Sequence, residues 1–349
     1  MDSIEILERL SQIVGPSGYE DQVREAVLEL VTPLADDVRT DTVGNVIATR
    51  RGRRDDVALL DAHMDEVGFL VSFIDEEGFL RLSPLGGWDA RILLSHAVSV
   101  RTRNGRIVRG TIGTLPPHVL TDEMRNAPVK IEDLFVDVGA RTASEVDDMD
   151  IGLGSPCTPA YPFERLADDL VMGKAFDDRA GCTIAIRALE ELREDDLDLT
   201  VVAAFTTSEE VGLRGARAAA FQVRAKVALA LECTTAVDVP GVAPAQRLAR
   251  MGAGPAVTIA DRSLIAAPAV LSLLEETAQK HDIPYHLKLP GGGGTDAAAI
   301  QQTAEGALCG VLSVPARYIH TPLSMLRASD LEATIDLAAA FARGASSLL

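Results

Sequence analysis

An alternation of apolar strand-like runs and amphipathic helices breaks off near residue 66 and resumes near residue 167. That interruption constrains the fold more than any single motif. Ahead of it, residues 2–14 and 19–34 carry apolar side chains at helical spacing, split by the Pro/Gly turn "GPSGYE". "NVIATR" and "VALLDAH" follow as short apolar strands. Beyond it, "DDRAGCTIAIRALEELRE" reads as a helix, "LTVVAAFTT" as a strand, "GLRGARAAAFQ" as a helix and "AKVALALEC" as a strand. "DLEATIDLAAAFARGASSLL" closes the chain as a helix. Such alternation predicts an α/β fold with a mainly parallel central sheet flanked by helices.

The intervening stretch has a different grammar. "GFLVSFIDEEGFLRLSPLGG", "HAVSVRTRNGRIVRGTIGT" and "LFVDVGA" alternate in short runs, and "RNGR" signals a hairpin. No long helical pattern interrupts them. We therefore expect a small β domain at residues 66–165, inserted into a discontinuous domain built from 1–65 and 166–349. A length of 349 residues suits one large domain or two.

Charge narrows the function. Fifty-two acidic against 33 basic residues give a net charge of −19, which argues against binding to nucleic acid or an anionic membrane. The cysteines Cys157, Cys182, Cys233 and Cys309 show neither CxxC pairing nor zinc-finger spacing, so buried free thiols in a reducing compartment are expected. The first residues, "MDSIEILERLSQIVG", lack the basic and apolar regions of a signal peptide, and no apolar run is long enough to span a bilayer. The expectation is a soluble cytoplasmic protein.

Four polar clusters sit just after core strands: His63-Met64-Asp65, Glu209-Glu210, Glu232 and His320. A fifth, Asp177-Asp178, opens a helix. Singly, each reads as solvated loop charge. Together they occupy equivalent places, because open α/β sheets bind ligands beyond the carboxyl ends of their strands. Two histidines and several carboxylates suit zinc, cobalt or manganese. Cations would also compensate two adjacent glutamates that follow a buried run.

"AHMDEVGF", "FDDRAG", "TTSEEVGLRGA", "LECTTAVDVPG", "GGGGTDA" and "RYIHTP" resemble, in order, the signature segments of the tetrahedral (TET) aminopeptidases. These are dinuclear metallopeptidases with glutamyl, leucyl and lysyl members, some carrying an old endoglucanase label. The resemblance runs from the first helix to the last. It implies a zinc-peptidase-like catalytic domain interrupted by a small β-barrel or PDZ-like domain that mediates dimerisation. It further implies dimers assembled into a hollow dodecamer that admits short peptides. His63, Asp177 and Glu232 would hold one divalent ion, and Asp177, Glu210 and His320 the other, with Asp177 bridging. Glu209 would be the general base, and Asp65 would fix the tautomer and orientation of His63. Glu232 stands where many members have Asp, a side chain one methylene shorter. In "LPGGGGTDAA", Gly292, Gly293 and Thr295 are expected to border the substrate cleft, with Thr295 or Asp296 also capping the helix that follows.

Rival chemistries fit less well. A glycosidase needs two carboxylates about 5–9.5 Å apart across a sugar bond. Glu209 and Glu210 are adjacent and point to opposite sides of an extended segment. A serine hydrolase lacks its GxSxG elbow, and "GGGG" has no nucleotide-binding context. A dinuclear deacylase or carboxypeptidase would use the same ligands, and a substrate's free α-amine would separate it. A non-catalytic assembly protein would be favoured by a missing ligand or base.

Overall fold

The computed structural model describes every residue except 167–168 and 290–292. The chain opens with α1 (Ser3–Ser11), α2 (Asp21–Val31), β1 (Asp37–Thr40), β2 (Val46–Arg50) and β3 (Arg54–His63). Next come β4 (Gly68–Ile74), β5 (Leu80–Leu85), β6 (Ala97–Arg101) and β7 (Ile107–Gly113). The short α3 (Asp122–Asn126), β8 (Phe135–Asp137), the short α4 (Ala143–Asp148) and β9 (Pro156–Pro159) complete this part. It continues with β10 (Glu164–Arg165), β11 (Leu170–Gly173), α5 (Phe176–Glu191), β12 (Leu199–Thr206), α6 (Arg214–Val223) and β13 (Val227–Thr235). Finally β14 (Ala256–Thr258), α7 (Pro268–Lys280), β15 (His286–Lys288), α8 (Asp296–Gln301), β16 (Leu308–Arg317), β17 (Ser324–Arg327) and α9 (Ala328–Gly344) reach the C-terminus.

Eleven strands form one sheet whose main path is β1-β2-β12-β3-β13-β16-β17-β11-β10. Its heart, β12-β3-β13-β16, is parallel, as is the side pair β14-β15. The rims are antiparallel, so the sheet is mixed rather than mainly parallel. The reason lies in the connections. A parallel crossover needs about a dozen residues or more, whereas 41–45, 51–53 and 318–323 are short links that reverse the chain.

Residues along the parallel strands alternate between two layers. Leu60 and Ala62 of β3, Val201, Ala203 and Phe205 of β12, and Leu229 and Leu231 of β13 pack in the cluster that includes α1, α2, α5, α7 and α9. Leu59, Val202, Ala204, Ala228 and Ala230 pack on the other side, against the alanines of α6 and α8. By the same alternation Asp61, His63, Thr206, Glu232, Thr234 and Ser313 belong to that second face. The polar site thus sits over the thin, alanine-rich layer.

The six strands β4-β5-β8-β7-β6-β9 close into a barrel around Phe69, Val71, Leu80, Val98, Val100, Ile112, Val136 and Cys157. The β6–β7 hairpin turns through Gly105, at φ 86°, where "RNGR" signalled it.

Beneath the site lies a buried cationic tie. Arg179, 0% exposed, donates from Nε to Met64 O (2.8 Å), from Nη1 to Leu10 O (2.6 Å) and from Nη2 to Gly15 O (3.2 Å). Lys174 Nζ donates to Ser11 O (2.9 Å), Ile13 O (3.2 Å) and Glu66 Oε1 (2.7 Å). These two side chains satisfy carbonyls where α1 ends and fasten it to the strand end at Met64. Arg179→Met is expected to destabilise the fold by about 3 kcal/mol or more, because it strands buried acceptors. Urea unfolding at fixed protein concentration measures it, and an unchanged midpoint would refute the tie.

Candidate metal centre

Parallel pairing brings the ends of β3, β12, β13 and β16 to one edge. β3 delivers His63, the loop after β12 delivers Glu209 and Glu210, β13 carries Glu232, and the loop after β16 delivers His320. Asp177 enters from the irregular first turn of α5, where Asp177 and Asp178 depart from helical φ/ψ and are joined by a cis peptide bond. Ser208 and His320 both hold φ at 56°. A non-glycine residue pays about 1 kcal/mol or more for that conformation, and both loops that feed the cluster retain it.

Asp177 lies between the two histidines. Its Oδ1 is 3.4 Å from His63 Nε2 and its Oδ2 is 3.3 Å from His320 Nε2. Glu210 Oε1 is 3.5 Å from His320 Nε2. Glu232 Oε2 and Glu209 Oε2 each lie 3.9 Å from His63 Nε2. His63, Asp177 and Glu210 bring ligand atoms within 4.8 Å of one another, and so do His63, Asp178 and Glu232. All the residues singled out as ligands therefore meet in one place.

Asp65 is fully buried and links two parts of the site. Its Oδ1 lies 3.3 Å from His63 Nδ1 and accepts from Glu209 N at 3.0 Å. Its Oδ2 accepts from Glu210 N at 3.2 Å and from Ser17 Oγ at 2.6 Å. The imidazole is oriented by Asp65 through both its carbonyl, 3.1 Å from His63 Nδ1, and its carboxylate, which also pins the backbone of both glutamates. His320 is oriented from the barrel: its Nδ1 lies 3.1 Å from Gly87 O. Neighbouring Gly86 has φ 78°, and a Cβ there would meet Val67 Cγ1 at 2.6 Å and Glu210 Oε2 at 3.2 Å, so a side chain would push into the cluster.

This geometry can be set beside known proteins. A family model described as M42 glutamyl aminopeptidase matches residues 44–337. The chain belongs to that family. A lysyl aminopeptidase of Pyrococcus furiosus is 34% identical over 343 residues, covering 96% of this chain and 95% of that one. An aminopeptidase of the archaeon Desulfurococcus kamchatkensis superposes with a TM-score of 0.94 at 40% identity, over 98% of this chain and 94% of that one. The TET1 peptidase of Pyrococcus horikoshii, described as assembling into a tetrahedron or a large octahedral shell, gives a TM-score of 0.88 at 32% identity. It covers 98% of this chain and 99% of that one. The resemblance to TET aminopeptidases is borne out.

The M42 chain's cluster is electrostatically tense. Burial would depress both histidines, but Asp177 with its neighbours overcomes it, raising His63 well above its ordinary value and His320 to about 10. Burial would raise Asp177, and the two imidazoles hold it far below the carboxylate range. Burial first, and neighbouring acid second, pushes Glu210 up to about 7. Burial also lifts Glu209 to about 9 against the pull of His63. Glu232 and Asp178 are raised well above normal by burial. Without cations, such a site keeps protons that its acids would lose in water. Imidazole and carboxylate donors gathered this closely fit divalent zinc, cobalt or manganese, which would replace those protons.

A group whose folded pKa lies above its unfolded value lends stability that is present at low pH and lost as pH rises. Glu209, Glu210 and His320 all shift in that sense. The chelated protein is therefore expected to lose thermal stability steadily from about pH 5 to about pH 10. Added zinc or cobalt should flatten that slope. A melting midpoint that climbs with pH in the chelated protein would show that burial does not govern these groups.

Several roles at the site carry no sequence signal, including those of Asp178 and Asp296, which the sequence marks only as a polar pair and a helix cap. Asp178 accepts from His63 N (3.2 Å) and Gly181 N (2.9 Å), fixing the end of β3 to α5. Glu20 accepts from Ser208 N at 3.0 Å. Asp61 and Asp296 form a buried pair behind His63. Three of their four oxygens lack an ordinary donor among the described residues, and Thr206 Oγ1 serves the fourth at 2.7 Å. Burial, and then the charge of Asp296, raises Asp61 well above normal, and burial brings Asp296 to about 6.

The expected helix cap also differs. Thr295 stands at the N-cap of α8 without a side-chain cap bond, its hydroxyl instead 3.4 Å from Asp261 Oδ2, while Asp296 turns inward. A cavity of about 460 Å³ opens beside the cluster, lined by Gly293, Gly294 and Thr295 among others. Gly292 falls outside the described residues. All four cysteines are free and buried, and burial pushes the thiols of Cys157 and Cys309 up to about 12. Among the described residues no helix is long and apolar enough to cross a membrane.

Proposed function

We propose that this M42 protein is a metal-dependent aminopeptidase that removes N-terminal residues from short peptides. The observation that carries the reading is the position of Asp177, one oxygen toward each of two imidazoles, with Glu209 at the edge of the same cavity. His63, Asp177 and Glu232 would hold one divalent ion, and Asp177, Glu210 and His320 the other. When bound, such a pair supplies Lewis acidity, activating water and polarising a carbonyl. Glu209 takes the proton of the attacking water and passes it to the leaving amine. Asp65 keeps His63 oriented and holds the Glu209–Glu210 backbone still, so the base and its neighbouring ligand move as one unit. Gly293 and Thr295 border the space for substrate.

Zinc or cobalt is the favoured metal, with manganese also compatible with the donors. Residues 66–165 are the dimerisation domain and 1–65 with 166–349 the catalytic domain, in an assembly of dimers reaching a tetrahedral dodecamer. The likeness to the TET1 peptidase supports this. Native mass measurement near that of twelve 37.1 kDa chains would support the shell, and a monomer would overturn it. Four free thiols favour the cytoplasm.

The deciding experiment follows free amino acid release from two matched peptides, one N-acetylated, with chelated enzyme and after restoring zinc or cobalt. Metal-restored cleavage of the free peptide alone, one residue at a time from its N-terminus, supports an aminopeptidase. Release of acetate from the blocked peptide overturns it in favour of a deacylase, and inertness toward both despite bound metal leaves a binding role.

A further inference from the structure

Four consecutive amides on the loop after β12 donate to side chains. Thr207 N donates to Asn45 Oδ1 (3.0 Å), Ser208 N to Glu20 Oε1 (3.0 Å), Glu209 N to Asp65 Oδ1 (3.0 Å) and Glu210 N to Asp65 Oδ2 (3.2 Å). Ser208 holds a left-handed φ of 56°. Such a turn points successive N–H groups to one side, where they make a concave seat for an anion. The anions here are two carboxylates of the chain itself. Ser17 Oγ, 2.6 Å from Asp65 Oδ2, joins from the same turn that ends in Glu20. The "GPSGYE" segment between α1 and α2 thus supports the loop at two points.

Glu20 stands at the N-cap of α2, yet its side chain makes no cap bond there. Oε1 turns away and accepts from Gly18 N (2.8 Å), Ser208 N (3.0 Å) and Ser208 Oγ (3.3 Å). The residue is 4% exposed, and burial, then the charge of Asp65, raises its carboxyl above the ordinary value. Among the described residues no Lys, Arg or His pairs with it. Burying an acid without a cation is costly, and two of the three donors it gains belong to Ser208. The Glu209 carboxylate needs that support. Among the described residues it accepts no hydrogen bond, and its nearest imidazole nitrogen, His63 Nε2, is 3.9 Å away. Its direction is therefore set by the backbone that carries it.

We propose that Glu20 is a positioning residue for the reaction: by holding Ser208 in its left-handed conformation, it aims the Glu209 carboxylate into the cavity. The inference rests on the aminopeptidase reading and adds a residue to it. A serine pays about 1 kcal/mol or more for a positive φ, so without Glu20 the 208 backbone relaxes and the base swings with it. Glu210 is better secured, since its amide is held by Asp65 and its carboxylate faces His320 at 3.5 Å. Loss of Glu20 therefore falls on the base and spares the ligands.

The test is a double-mutant cycle on metal-loaded enzyme, using whichever of the Leu, Glu and Lys p-nitroanilides the wild type cleaves fastest. Glu20→Ala should lower kcat by roughly 10- to 100-fold, as a misplaced catalytic group does, with KM and bound metal close to wild type. Glu20→Gln keeps an acceptor oxygen for Ser208 and should recover most of that loss. In the Glu209→Gln background, Glu20→Ala should cost almost nothing further, because the group it aims is already absent. If Glu20→Ala fails to fold, Glu20→Asp, whose carboxylate falls one methylene short of Ser208, replaces it in the cycle with the same expectation. Equal losses in both backgrounds overturn the assignment and make Glu20 a structural residue. Wild-type kcat without Glu20 overturns it as well, and so does loss of metal, which would move the role to the ligands. All three leave the aminopeptidase reading standing. Cleavage of none of the substrates by metal-bound wild type overturns both.

Discussion

Glu209→Gln is expected to keep its metals and lose turnover, by roughly 10²- to 10⁴-fold in kcat, the range general-base removal commonly costs. The substitution preserves shape. The loop that carries residue 209 is held by its backbone, through the bond from its N–H to Asp65, which Gln does not disturb. The Glu209 carboxylate is also weakly tied. It reaches His63 Nε2 only at 3.9 Å and is 11% exposed, facing the cavity. The proposed ligands His63, Asp177, Glu210, Glu232 and His320 are unchanged, so metal content should match the wild type. What disappears is a group able to accept a proton and give it back. KM should move little, since the change acts on the transition state. Steady-state kinetics with metal analysis on the same sample check this, and a fully active variant would mean that another group is the base.

How far the site was legible follows from how local each signal is. His63, Glu209, Glu210, Glu232 and His320 each terminate an apolar run, so strand direction alone predicts one edge for them. The barrel strands announced themselves by short alternation and a hairpin turn. The mixed character of the sheet was present in the short links 41–45, 51–53 and 318–323 but was outweighed by the strand–helix rhythm. Asp61 left a usable trace: an acid two residues before His63 in "LLDAH" must share the histidine's face and be buried with it. Its partner Asp296 could not be read, because that contact spans β3 and α8. The same holds for Lys174 and Arg179, whose acceptors lie more than 100 residues away, and for Gly87, whose carbonyl reaches His320 from the barrel.

Asp177→Ala should have the second large effect, and on both halves of the centre at once. In the proposed assignment each of the other ligands serves one side, whereas Asp177 presents one oxygen to His63 and the other to His320. Losing merely an outer partner of a metal ligand costs about 10- to 100-fold in affinity, so losing a shared ligand should weaken binding by roughly 100-fold or more. The variant is expected to bind fewer than two ions at a free-metal concentration that saturates the wild type, and to lack measurable turnover there. A second readout needs no metal. Asp177 is the main group that raises both imidazoles against the effect of burial. Removing it should let His320 lose its proton well below pH 10, visible in the imidazole proton resonances of the chelated protein. Two ions bound at wild-type affinity would remove Asp177 from the bridging position. Loss of metal with an unshifted His320 would show that the carboxylate binds cations without governing the charge balance of the empty site. Loss of both follows only if one side chain couples the two histidines, as the geometry has it.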